Sequence, residues 1–269
     1  MGRAKEIIVK VIPSKVANEF VKKHHYSGKV VVNSTLHFGC FLDDKLHGVM
    51  SYGNPLDRSK VIGLVEGTKW NEFLELNRMA FDDYLPKNSE SRCISISLRL
   101  IRKNAPHVKW VLSFSDGSQC GDGTIYRAVG FALTKININK TNWIYKGYKF
   151  SNIGFRTGSS DKTELKKLGV EEKYLSGNKA SDTIFKEFGA KRIEGFQLRY
   201  IYLIDKTCKI TVPILPFSKI DEMGAGMYKG KKVSLQERKQ AFEVNEDKRS
   251  ASSREIGGSN PTQTLNPNS

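Results

Sequence analysis

The sequence contains few cysteines, few acidic residues relative to basic ones, and no long apolar run. Its four cysteines form no C-x-x-C pair, the spacing of many zinc and redox sites, so we interpret them as reduced packing thiols. No stretch reaches the roughly 20 apolar residues that a membrane span requires. The apolar run after the first residues is also too short for a signal peptide. We therefore expect a cytoplasmic protein without a membrane partner.

Basic residues outnumber acidic ones, with 44 Lys and Arg against 28 Asp and Glu, a formal charge of +16 and a pI near 9.6. A field of this sign concentrates polyanions around the protein, which favours a nucleic acid as partner. The alternative is a protein that is basic only for solubility. Charge alone does not separate DNA from RNA. The apolar fraction of 39% is typical of a folded chain.

Apolar patterning predicts strands that alternate with helices, and hence an α/β fold. Residues 1–223 are predicted to form one catalytic domain, and the charged segment 224–269 a disordered tail. A late strand, Glu194–Asp205, is expected at a sheet edge. The other predicted strands are Ile7–Ile12, Thr35–Leu42, Leu46–Tyr52, Val61–Val65, Glu75–Phe81, Val108–Phe114 and Trp143–Tyr148, and helices are expected after Ser14, after Asn88, after Gly123 and over Asp182–Phe188.

Four segments combine polar and aromatic residues in a distinctive order: His25–Gly28, Glu75–Phe81, Pro86–Arg92 and Ser113–Phe131. In order and spacing they resemble the Mom family of bacteriophage DNA-modification proteins. The resemblance implies a fold similar to the Gcn5-related N-acetyltransferases, a mixed sheet that splays open between its fourth and fifth strands and is flanked by helices. It also implies a phage-encoded transferase that adds a carbamoylmethyl group to the N6 amine of adenine in DNA and so protects that DNA from host restriction.

In such a fold Glu75–Phe81 is the fourth strand and Val108–Phe114 the fifth, and ligands bind at the ends of strands in open α/β sheets. Arg78 lies in an otherwise apolar strand, so its guanidinium requires an anion. That anion is either a carboxylate of the chain, namely Glu75, Glu90 or Asp116, or a carboxylate or phosphate of the donor or of DNA.

Asp116 follows the fifth strand, and Tyr126 lies on the next helix, one residue from the Ile125 stripe that we expect to be buried. Asp116 is either a turn or helix cap, or a general base and hydrogen-bond acceptor for the adenine amine. Related acyltransferases imply that Tyr126 protonates the leaving group, and packing is the alternative. Arg78, Ser91, Asp116 and Tyr126 are expected to converge at the mouth of the splayed sheet.

The segment Asn88–Arg92 opens a helix, whose first backbone N–H groups attract anions. The loop Arg/Gln-x-x-Gly-x-Gly/Ala, which cradles coenzyme A in ordinary acyltransferases, is missing. An acyl-coenzyme A donor and another activated donor, such as one carrying a glycyl group, therefore both stay open. The residues expected to contact substrate or DNA are His25, Tyr26, Asn77, Asn88, Ser89 and Arg92.

Histidines and Asp116 could also supply ligands for iron or zinc, although no fixed ligand spacing appears. An adenine amine inside a duplex is paired, so an enzyme that modifies it must flip the base out or act on a single strand. Two other functions stay open. One is an acyltransferase of the same fold that acts on a protein, a tRNA or a small amine, and the other is a DNA-binding protein without catalysis.

Overall fold

The structure is a computed structural model that describes residues 3–118, 121–157, 159–177, 180–228, 231–237 and 240. One compact unit spans Met1–Lys232 and a second spans Val233–Ser269, most of which lies outside the described residues. The first unit extends past the predicted domain boundary at 223, because Ala225 and Met227 are buried in the main core.

The elements follow one another as strands with intervening helices, as the apolar pattern predicts. The strands are β1 Ile8–Val11, β2 Ser34–Leu42, β3 Lys45–Gly53, β4 Phe73–Phe81, β5 Trp110–Asp116, β6 Ala132–Ile138, β7 Asn142–Tyr145, β8 Tyr148–Ser151, β9 Lys191–Arg192, β10 Phe196–Leu203, β11 Met227–Tyr228 and β12 Lys231–Lys232. The helices are α1 Ser14–His24, α2 Ser89–Asn104, α3 Thr124–Val129, α4 Asn152–Thr157, α5 Ser159–Lys167, α6 Glu172–Leu175, α7 Asp182–Glu187 and α8 Ser218–Glu222.

The main sheet has the order β1-β2-β3-β4-β5-β10-β6. Its neighbours are antiparallel except for β4 and β5, which are parallel and pair only through Phe73–Glu75 and Trp110–Leu112. Beyond Glu75 and Leu112 the two strands continue without pairing to each other. This confirms the predicted mixed sheet that splays open between its fourth and fifth strands.

The two faces of the sheet carry different helices. On the α1 face, Ala17 and Val21 of α1 pack against Val49 and Ala80. On the α2 face, the buried side of α2 and Tyr126 of α3 join the largest core. Because successive strand residues point to opposite faces, each side chain of β4 and β5 can be assigned to one of them.

Two features of the strands differ from the predictions. The late strand, β10, is an interior strand that pairs with both β5 and β6, so its predicted position at an edge is wrong. The predicted strand Val61–Val65 is a turn-rich segment with one bridge, from Val65 to Ile210. Its valines are buried by packing under the sheet, and burial alone produces the same apolar run as a strand.

Residues 139–195, which we call the insertion, lie between β6 and β10. The insertion contains the three-stranded sheet β8-β7-β9, the helices α4 to α7 and an apolar core of its own, built around Trp143, Phe155 and Phe185. The predicted strand Trp143–Tyr148 is the hairpin β7-β8, divided by a turn at Lys146 and Gly147. Among the described residues, no helix combines the length and the apolar character needed to cross a membrane.

Candidate functional site

Several predicted site residues lie near the gap between β4 and β5, on one face of the sheet or the other. On β4, the pairing with β3 shifts register between Leu76 and Arg78. This β-bulge turns Arg78 to the α1 face, the same face as Glu75, although the two residues are three positions apart. Regular alternation would have placed them on opposite faces.

Arg78 is held by backbone carbonyls. Its Nε donates to the carbonyl of Lys29 at 3.1 Å, and its Nη1 donates to the carbonyl of Asn77 at 2.9 Å. Glu75 and Tyr26 also interact electrostatically with the guanidinium. The predicted nearby carboxylate is therefore Glu75, yet the described hydrogen bonds of Arg78 go to carbonyl oxygens, which leave its positive charge uncompensated by a direct ion pair.

The segment after α1 places His25 and Tyr26 beside this guanidinium. The two rings lie 4.2 Å apart, and His25 Nδ1 is 2.8 Å from Ser27 Oγ. Tyr26 is 53% exposed, so its ring faces solvent at the rim of the site. Asn77 completes this side, where its Oδ1 accepts a hydrogen bond from Ser34 Oγ at 3.1 Å. We call His25, Tyr26, Glu75, Asn77 and Arg78 the α1-face cluster.

Burial sets the charges of this cluster. Burial raises the pKa of Glu75 to about 7, although Arg78 and a hydrogen bond with Asn77 act in the opposite direction. Burial and the charge of Arg78 lower the pKa of His25 to about 4, so the ring is neutral near pH 7. Sequence reasoning treated Glu75 only as a partner of Arg78. The signal that would have found it is a carboxylate within an apolar strand next to the splay.

Asp116 ends β5 on the same face, since it alternates with Leu112, which pairs with Glu75. Its Oδ1 accepts hydrogen bonds from the backbone N–H and the hydroxyl of Ser118, and its Oδ2 accepts one from Asn142 Nδ2 at 3.2 Å. The structure thus contains the predicted turn at Asp116. The same bonds fix the direction in which the carboxylate points.

Tyr126 lies on the α2 face and is 6% exposed. It is the buried residue of α3, whereas Ile125 and Val129 of the predicted stripe are partly buried against the main core and Ala128 is exposed. The ring packs 5.1 Å from Tyr200 and 5.4 Å from Phe131. Tyr200 also lies against the backbone of Gly123, whose φ is 82°, and a Cβ at that position would collide with the Tyr200 ring.

The start of α2 forms a shallow cavity of about 290 Å³ on the α2 face. Arg92 contributes a buried Nε that has no hydrogen-bond partner among the described residues. Ser91 Oγ bonds the carbonyl of Asn88 at 3.2 Å and also borders the cavity. Ser89 is fully buried and donates to the Pro86 carbonyl, so its side chain has no access to a substrate in this conformation. The cavity is lined by Ala4, Asn88, Ser91, Arg92, Ser95, Arg99 and Ala128.

The histidines proposed as metal ligands have separate surroundings. His37 contacts Ser51, His47 contacts Asp82, and His24 stacks on Phe20. Within the described ranges, no three His, Cys, Asp or Glu side chains form a group able to hold a metal ion. Cys120 lies outside those ranges. The described residues therefore do not provide a fitting site for iron or zinc.

The structure divides the four residues that were expected to converge into two pairs. Arg78 and Asp116 lie on the α1 face, and Ser91 and Tyr126 lie on the α2 face. His25, Tyr26 and Asn77 join the first pair, whereas Asn88 and Arg92 join the second. Arg78 and Asp116 lie on the two strands that separate from each other, whereas Ser91 and Tyr126 lie on the helices that follow those strands in the chain.

The Mom protein family matches residues 6–219, which include β4, β5 and the splay between them. The chain is 40% identical over 207 residues to the protein named methylcarbamoylase mom from Escherichia phage Mu, a match that covers 77% of this chain and 79% of the relative.

Solved structures with a similar arrangement are acetyltransferases. One is the Bacillus subtilis acetyltransferase in complex with coenzyme A, with a TM-score of 0.40, 9% identity and coverage of 73% of this chain and 98% of that one. Another is an acetyltransferase of Elizabethkingia anophelis with acetyl-coenzyme A bound, with a TM-score of 0.37, 14% identity and coverage of 54% and 92%. The match to the family profile and the identity to the phage Mu protein together show that this chain belongs to the Mom protein family.

Proposed function

We propose that this protein is a phage-encoded transferase that adds a carbamoylmethyl group to the N6 amine of adenine in DNA and thereby protects the DNA from host restriction. The identity of 40% over 207 residues to the phage Mu methylcarbamoylase carries the proposal. The formal charge of +16 supports a DNA substrate, since basic surfaces attract the phosphate backbone. Host cytoplasm is the compartment where such a reaction would occur.

The reaction forms a bond between adenine N6 and the donor carbon and breaks the bond from that carbon to its leaving group. One proton leaves N6, and the leaving group gains one. Catalysis therefore needs a proton acceptor and an orienting group on the side of the base, and a proton donor on the side of the leaving group.

We assign the adenine base to the α1 face. A flipped adenine would stack on the exposed ring of Tyr26 and place its amine toward Asp116 and Glu75. Asp116, whose direction is fixed by Ser118 and Asn142, accepts a hydrogen bond from the amine and orients it. Glu75, with a pKa of about 7, is matched to accepting a proton near neutral pH.

We assign the donor to the α2 face, with its reactive carbon in the splay between β4 and β5. Ser91, Arg92 and the first N–H groups of α2 bind an anionic part of the donor, and the unpartnered Nε of Arg92 supports this. Tyr126 protonates the leaving group. The planar guanidinium of Arg78 binds a carboxylate or phosphate of the donor or of DNA on the α1 face.

The donor is an activated molecule, either an acyl-coenzyme A or another carrier, such as one bearing a glycyl group. The residues at the start of α2 fit the phosphate groups of either kind. A carbamoylmethyl group is joined to N6 through its methylene carbon, so its donor must carry the leaving group on that carbon. A glycyl thioester attacked by N6 at its acyl carbon would release the thiol and leave the isomeric N6-glycyl group, which is the product expected of an acyl-coenzyme A donor.

Mass analysis of nucleosides tests the proposed function. DNA from cells that express the protein should contain a deoxyadenosine heavier by one carbamoylmethyl group, and DNA from cells expressing Asp116→Asn should lack it. Unmodified deoxyadenosine in cells with folded wild-type protein would refute DNA modification. Transfer to a protein or a tRNA in the same cells would support the acyltransferase alternative.

A further inference from the structure

Asp161 is a buried carboxylate on α5 of the insertion, with no exposed side-chain surface. Its Oδ1 accepts a hydrogen bond from the Tyr148 hydroxyl at 2.7 Å and forms an ion pair with Lys29 Nζ at 2.6 Å. Its Oδ2 has no hydrogen-bond partner among the described residues. A buried carboxylate is costly unless it is paired, so the contact with Lys29 is the main compensation for this charge.

The position of this carboxylate is tightly restricted. A Cβ on Gly154 of α4 would collide with Asp161 Oδ2, so only glycine permits the two to lie this close. Burial and the neighbouring carboxylate raise the pKa of Tyr148, which keeps its hydroxyl protonated as a donor to Asp161. Tyr148 packs against the core of the insertion, which includes Phe150 and Phe155.

Lys29 belongs to the segment between α1 and β2 and contacts two parts of the molecule. Its ammonium group reaches Asp161, which is 132 residues away in the chain. Its backbone carbonyl accepts the 3.1 Å hydrogen bond from Arg78 Nε. Its N–H donates to Ser27 Oγ at 3.2 Å, and that hydroxyl also contacts His25 Nδ1. One residue therefore connects the insertion to the α1-face cluster.

We infer that Asp161 is a positioning residue for the transfer reaction, because it holds Lys29 in place and thereby sets the orientation of Arg78. The inference rests on the proposed role of Arg78 in binding an anion of the reaction. A guanidinium binds a carboxylate or phosphate through two parallel bonds, so a small rotation of its plane weakens both. Misplacement of a binding group by about 1 Å can cost roughly 100-fold in rate.

The test compares variants along this connection by the rate at which modified deoxyadenosine accumulates after expression is induced. Asp161→Asn keeps the shape of the side chain and removes its charge, and Lys29→Met keeps the aliphatic stem and removes the ammonium. Both should slow the reaction about 10- to 100-fold. Lys29→Arg restores a cation and should return the rate to within about threefold of wild type. Glu164→Gln removes a carboxylate of the same helix, α5, that is 43% exposed and paired with Lys167, and it should leave the rate unchanged.

Two measurements separate positioning from loss of stability. Purified Asp161→Asn and Lys29→Met should keep the circular dichroism spectrum of the folded wild-type protein. The double variant Arg78→Lys, Asp161→Asn should react less than about twofold more slowly than Arg78→Lys alone, because lysine has no Nε for the Lys29 carbonyl to hold. Independent, multiplicative losses would show that Asp161 acts on stability and would overturn the inference.

The remaining outcomes are also decisive. If Asp161→Asn modifies DNA at the wild-type rate while Arg78→Lys is impaired, the inference is overturned and the proposed function stays intact. Wild-type modification by Arg78→Lys would instead refute the proposed role of Arg78. Should Asp161→Asn fail to fold, the pair Lys29→Met and Lys29→Arg decides, since the Lys29 side chain is 47% exposed. Equal rates for these two would overturn the inference.

Discussion

Glu75 gives the clearest quantitative prediction, because burial raises the pKa of its carboxyl from 4.5 to about 7. In the unfolded chain the carboxyl loses its proton near the lower value. Between the two values the folded state therefore binds more protons than the unfolded state, and the free energy of unfolding falls as pH rises. The full difference corresponds to about 3.4 kcal/mol at 1.36 kcal/mol per pKa unit.

Glu75→Gln keeps the shape of the side chain and removes this titration. The stability of the variant relative to wild type should therefore increase by about 2.5 kcal/mol between roughly pH 5 and pH 8. Urea unfolding, followed by the fluorescence of the buried Trp110 and Trp143, measures the difference at each pH.

Glu164→Gln is the matched control, since it removes a carboxylate whose side chain is 43% exposed. A constant difference between Glu75→Gln and wild type across the range would show that Glu75 titrates at its ordinary pKa. The assignment of Glu75 as a proton acceptor near neutral pH would then be refuted.

Three further predictions concern the transfer reaction. Asp116→Asn should lower the yield of modified deoxyadenosine at least about 100-fold, with DNA affinity within about twofold of wild type, and an unchanged yield would exclude a role for the carboxylate. Arg78→Lys should lose about 10-fold or more because it keeps the charge but loses the planar fork, whereas wild-type turnover would indicate a structural role. Tyr126→Phe keeps the ring packed against Tyr200 while modification should fall about 100-fold, and full activity would assign Tyr126 to packing alone.

The sequence by itself determined the alternation of strands and helices. Apolar periodicity reports the face that each element buries, and that pattern is local. It identified β4, α2 and β5 near their observed bounds, and the resemblance to the Mom family indicated the splay between the two strands. The types and order of residues in Glu75–Phe81 and Ser113–Phe131 were also sufficient to indicate the family.

Only the tertiary structure decided which of these residues face each other. The bulge on β4 brings Arg78 to the face of Glu75, against the alternation that a sequence pattern assumes. The raised pKa of Glu75 depends on burial by distant parts of the chain. The contact between Lys29 and Asp161 likewise joins the segment after α1 to the insertion. Bulges, burial and long-range ion pairs arise from packing between elements, and a local pattern along one strand or helix carries no information about its neighbours in space.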